Sequence, residues 1–141
     1  MWEFIQSLFL AKLLLLAGPG DFASGTHKID LSEPISAISS GASLRLDITG
    51  MVPGEHRSLP ASRKWIEQTF PADAIRATLE SSDGRKVDLS FEGSSSWEPG
   101  SIQLILSASA GVPKGVEFSS VVLSTEMDLK QVTLTWANYR H

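Results

Sequence analysis

The chain contains no cysteine, which excludes disulfide cross-links, thiol nucleophiles and cysteine-ligated zinc together. Basic charge is also scarce: 12 Lys and Arg face 16 Asp and Glu, giving a net charge of −4 over 141 residues. No run of basic residues exceeds two, so the electrostatic stripe that nucleic-acid binders present to phosphate is missing and nucleic acid is not expected as a partner. Histidine occurs three times, as His27, His56 and His141, without H-x-H, H-E-x-x-H or H-x-x-E-H spacing. No metal site is therefore expected. G-x-S-x-G, G-x-x-x-x-G-K-[ST] and G-x-G-x-x-G are absent too, so neither a nucleophile elbow nor a phosphate or dinucleotide loop is legible, and no cofactor is expected. What remains is a chain of average polarity, 42% hydrophobic and 20% charged, of a length suited to one folded domain.

The first 25 residues differ from the rest. From Phe4 to Ala17 only Gln6, Ser7 and Lys12 are polar, after which Gly18-Pro19-Gly20 interrupts the run. As a helix this stretch is about 21 Å long, short of the roughly 30 Å hydrocarbon core of a bilayer. It fits the apolar segment of an export signal, with Ala23-Ser24-Gly25 offering small residues for cleavage. Glu3 in place of a basic residue runs against that pattern. An interfacial amphipathic helix competes, but the polar side formed by Glu3, Gln6 and Ser7 is lost at Leu10 and Leu14. The expectation is a hydrophobic helix over residues 1–25 acting as signal peptide or retained anchor, followed by one domain over residues 26–141.

That domain reads as strands. Leu44, Leu46 and Ile48 alternate with polar residues, as do Ile75, Ala77 and Leu79; Val87, Leu89 and Phe91; and Val132, Leu134 and Trp136. Period-two alternation sends one row inward and one outward, and a slip by one residue would wet the apolar row. Ile102–Leu106 and Val116–Leu123 are more continuously apolar, as strands with protein on both faces are. His27–Leu31 adds a weaker strand, and Ile35–Ile38 a further edge piece. Asp83-Gly84 between two alternating runs marks a tight hairpin. The connections are too short for crossover helices. The expected fold is all-β: an antiparallel β-sandwich, jelly-roll or immunoglobulin-like, of seven to eight strands with an N-terminal hydrophobic helix. The closing stretch from Gly115 through Thr125 and from Val132 to Asn138 resembles the paired final strands of exported sandwiches of those two kinds, with no motif specific to one family.

Gly50–Asp73 breaks the pattern as a long insertion with Pro53, Pro60 and Pro71 and a predicted helix over Ser62–Phe70. Trp65, Ile66 and Phe70 share one side of that helix. They are read either as a plug for the sandwich or as a binding surface. Trp97 lies in a Ser-Ser-Ser-Trp-Glu-Pro loop, where a ring can anchor a contact or fold back as a lid. Glu55, His56 and Arg57 form a polar cluster, and a nearby Ser58 raises the outline of a nucleophile–base–acid set that serine abundance makes uninformative. Asp47, Asp88 and Glu92 read as solvent-face acids, not as a hydrolytic carboxylate pair. Glu126, Asp128 and Glu98 lack dense calcium-loop spacing.

Taken together, the sequence predicts a non-catalytic binding module of the periplasm or cell envelope, or secreted, contacting a protein partner. Trp65, Trp97, Glu55, His56 and Arg57 are the candidate contacts, and a membrane is met only through residues 1–17 if these are kept. A carbohydrate- or lipid-binding accessory domain is the runner-up, and a small hydrolase comes third.

Overall fold

The structure, a computed structural model, describes residues 12–38, 41–50, 63–71, 73–95 and 100–138. Eight strands follow in order: β1 (Lys12–Phe22), β2 (Gly25–Ile35), β3 (Ser43–Ile48), β4 (Ile75–Ser81), β5 (Lys86–Ser95), β6 (Ile102–Ser107), β7 (Phe118–Thr125) and β8 (Leu129–Asn138). A short helix, α1 (Arg63–Thr69), lies between β3 and β4. All strands join one sheet in the order β1-β8-β3-β6-β5-β4-β7-β2, and every pairing within it is antiparallel. The ends of that order, β1 and β2, are consecutive in the chain and separated only by Ala23 and Ser24, so the sheet curls until it is nearly closed. Curling hides edges that would otherwise offer unpaired backbone groups to other chains.

β5 makes the bend. Its first half pairs with β4 (Thr78↔Asp88) and its second half with β6 (Ser94↔Leu104), with an irregularity between Phe91 and Gly93. A bulge there re-aims the strand from one side of the fold to the other. The alternating rows behave as the period predicts: Leu44, Leu46, Ile48, Leu79, Leu104, Leu106, Val132 and Leu134 are all fully buried. Each such aliphatic side chain contributes roughly 1.5–3 kcal/mol by leaving water. Trp136 joins them and donates its indole N–H to the Ser36 carbonyl at 3.1 Å. Between β4 and β5, Gly84 takes φ 92° in the Asp83-Gly84 turn, a conformation that glycine adopts without a Cβ penalty.

Two expectations change. The predicted N-terminal helix does not extend over Lys12–Ala17, which belong to β1, while residues 1–11 lie outside the described set. A short run of consecutive leucines carries neither period, so the partner decides, and here β8 supplies an edge of matching length. The eighth strand is thus drawn from the segment read as a leader, and the expected boundary between residues 25 and 26 falls at the start of β2, within one sheet. The edge piece expected at Ile35–Ile38 resolves into the end of β2 at Ile35 and an isolated parallel bridge between Ala37 and Lys114.

Candidate functional site

Of the predicted contact residues, Trp65 alone is described; Glu55, His56, Arg57 and Trp97 lie outside the described residues. Trp65 sits in α1, half-buried, with its ring 6.0 Å from that of Phe70 at 87°, an edge-to-face pair. Ile66 and Phe70 are buried in the main core, and Phe70 N–H donates to the Ile66 carbonyl at 2.8 Å to close the helix. Within the described part of the insertion, Ile66 and Phe70 are turned into the core while Trp65 stays partly exposed.

The outward side of β2, β7, β4 and β5 presents a different arrangement. Strand register lines up Thr26, Ser124, Arg76 and Ser90 in one row across the four strands, and Lys28, Val122, Thr78 and Asp88 in the next. A depression of about 400 Å³ opens over these rows, lined by Arg76, Thr78, Asp88, Ser90, Ser109 and Ser124 around Val122. A second hollow of about 120 Å³, with Asp73, Thr26 and Glu126, meets the first at Arg76 and Ser124. Arg76 is exposed and makes no ion pair among the described residues. Asp88 accepts from Thr78 Oγ1 at 2.9 Å through one oxygen, and its other oxygen has no hydrogen bond among the described residues. Thr26 and Ser124 hydroxyls meet at 3.1 Å. The groove therefore offers a planar cationic fork, a carboxylate oxygen and several hydroxyls, all held on strands.

The opposite outer side carries a relay of another kind. Arg45 Nη1 donates to Gln103 Oε1 at 3.1 Å, and Gln103 Nε2 donates to Asp47 Oδ1 at 3.0 Å. Burial pushes the Arg45 guanidinium below its ordinary value, and the Asp47 carboxylate pulls it back up. With Gln103 buried and satisfied at both ends, this relay fastens β3 to β6 and leaves little reach for a ligand.

No group of three or more His, Asp or Glu among the described residues is placed to hold a metal ion. Compared with protein-family models, curated proteins and solved structures, the chain matches none. The row centred on Arg76 was missed in the sequence because an outward Arg, Thr or Ser in an alternating strand looks the same whether it is solvated or part of a groove. Only cross-strand register brings Arg76, Ser90 and Ser124 together.

Proposed function

We propose that this protein is a non-catalytic β-sandwich binding module, exported to the periplasm or cell envelope, that contacts a protein partner through the groove at Arg76. The sandwich reading takes the bend in β5 as the fold between two layers. The supporting observation is Arg76 itself, an exposed guanidinium flanked in register by Ser90 and Ser124 and free of ion pairing among the described residues. Arginine in such a position binds carboxylates in a planar, two-point manner, and it is enriched where interfaces concentrate their binding energy.

The hydroxyl-rich lining and the spare oxygen of Asp88 favour a second reading, a carbohydrate-binding accessory module. Among the described residues the lining has no aromatic ring for a sugar to stack on, and for that reason the protein partner is preferred.

Purification from detergent-solubilised envelope tests both. A partner that accompanies the native chain and is lost with Arg76→Glu, with folding intact, supports the proposal. Recovery of the chain in the cytosolic fraction, or a monomer that responds only on a glycan array, overturns it.

A further inference from the structure

We infer that the partner of the Arg76 groove presents an extended segment in which an acidic side chain is flanked, two residues to either side, by basic ones. This deepens the reading of that groove as a protein contact and rests on it. The observation behind it is a diagonal of alternating charge: Glu126 just past β7, Arg76 on β4 and Asp88 on β5. Arg76 pairs with Ser124 on one side and with Ser90 on the other. Glu126 lies two residues beyond Ser124, and its N–H donates to the Ala74 carbonyl at 2.9 Å, continuing the β4–β7 pairing by one step. Asp88 lies two residues before Ser90. Glu126 and Asp88 are therefore the diagonal neighbours of Arg76 in opposite directions.

The two hollows follow the same line. Asp88 borders the larger, Glu126 and Asp73 border the smaller, and Arg76 lines both. Glu126, Arg76 and Asp88 are exposed, and none of them is ion-paired among the described residues. The Thr78 hydroxyl holds Asp88 in its own row at 2.9 Å instead. Lys28, the cation of that row, is separated from Asp88 by Val122 and Thr78 and stands off the line.

The complement of acid, base, acid is base, acid, base. A purely acidic segment is repelled by Asp73, Glu126 and Asp88, and a purely basic one by Arg76, since like charges brought together across an interface are penalised. Spacing selects the backbone conformation. Diagonal cross-strand neighbours lie roughly 7–8 Å apart. Alternate residues of an extended chain face one side about 6.6–6.8 Å apart, whereas helical neighbours at i and i+4 come to only about 5–6 Å. A run of the form basic-x-acidic-x-basic therefore meets all three charges, its carboxylate on the planar fork of Arg76.

The blocked pentapeptide Lys-Ser-Glu-Ser-Lys, titrated into the full chain at low salt, tests this by NMR at the amides of Arg76, Ser90 and Ser124. Saturable shifts are expected at all three. Replacing the peptide's Glu by Gln should weaken binding about threefold to fivefold, the scale of one exposed charge pair, and added salt should weaken it further. The native chain should prefer this peptide to Lys-Ser-Lys-Ser-Lys. Arg76→Glu makes the diagonal wholly acidic and should reverse that preference; misfolding produces loss alone, not reversal. Unshifted amides, equal affinity of the native chain for the two peptides, or an unreversed preference in Arg76→Glu overturns the inference. If that happens while an envelope partner is still lost with Arg76→Glu, the protein-partner reading stands and only its charge pattern falls. A chain that answers only to glycans removes both.

Discussion

Asp21 in β1 accepts the backbone N–H of Gln131 in β8 at 2.9 Å, at the point where Gln131 takes φ 52°. Gln131 is the non-glycine residue with left-handed backbone among those described, a conformation that costs on the order of 1 kcal/mol or more. Thr49 N–H donates to the Gln131 carbonyl at 3.2 Å, so the kink is held from both sides. Asp21→Ala removes one side and should destabilise by about 1 kcal/mol, since the exposed N–H regains water. Gln131→Gly relieves the strain and should be neutral or stabilising by a few tenths of a kcal/mol. Urea unfolding midpoints check the pair: Asp21→Ala should lower the midpoint, and Gln131→Gly should leave it unchanged or raise it.

Gly18 supplies the second tie between the same strands. Its φ is 97°, and a Cβ built there would fall on the carbonyl oxygen of Val132. Gly18→Ala meets both a forbidden backbone region and a backbone wall that cannot rotate away. A loss of roughly 2–3 kcal/mol is expected, with β1 lifting from β8 before the rest of the sheet responds. Amide exchange decides it: Val132 and Leu134 should lose protection while Leu44 and Leu104 keep theirs.

Why the interior was legible and the edges were not follows from period and partner. Leu44, Leu46 and Ile48 announce an inward row because a one-residue slip would be ruinous, and they are fully buried. The Asp83-Gly84 turn and α1 were equally readable, each resting on local chemistry. Leu13–Leu16 had no period to read, and its strand depends on a partner more than a hundred residues away in the chain. Arg76 was invisible for a related reason: its neighbours Ser90 and Ser124 belong to two other strands, and spacing along one chain does not report register between several.

The β4–β5 turn predicts a pH response of definite sign. Asp83 accepts from the Ser81 hydroxyl and from the Arg85 backbone N–H, and its carboxylate lies 3.4 Å from Arg85 Nε. The Ser81 bond first, then the Arg85 amide and charge, hold the Asp83 carboxyl below its ordinary value. A carboxyl depressed in the folded state stabilises the turn above the ordinary carboxylate range, and that contribution fades as pH falls through the depressed value. Carboxyl-carbon NMR titration should show Ser81→Ala raising the Asp83 midpoint towards the ordinary range. An unchanged midpoint would mean that the Arg85 contacts alone set it.

The plug is the sharpest test of how the insertion is used. Phe70 is 2% exposed and Trp65 half-buried against its edge, so the two rings do unequal work. Phe70→Ala leaves a cavity under α1 and should cost about 3–5 kcal/mol, in line with other buried aromatic truncations. Trp65→Ala loses only the covered part of a ring that already touches water, and about 1–2 kcal/mol is expected from that smaller apolar area. Denaturant unfolding of both variants gives the ranking directly. A Phe70→Ala chain that unfolds at the native midpoint would mean α1 does not support the core, and would turn this helix back into a candidate contact surface. The expected order, with Phe70 well above Trp65, supports α1 as part of the core.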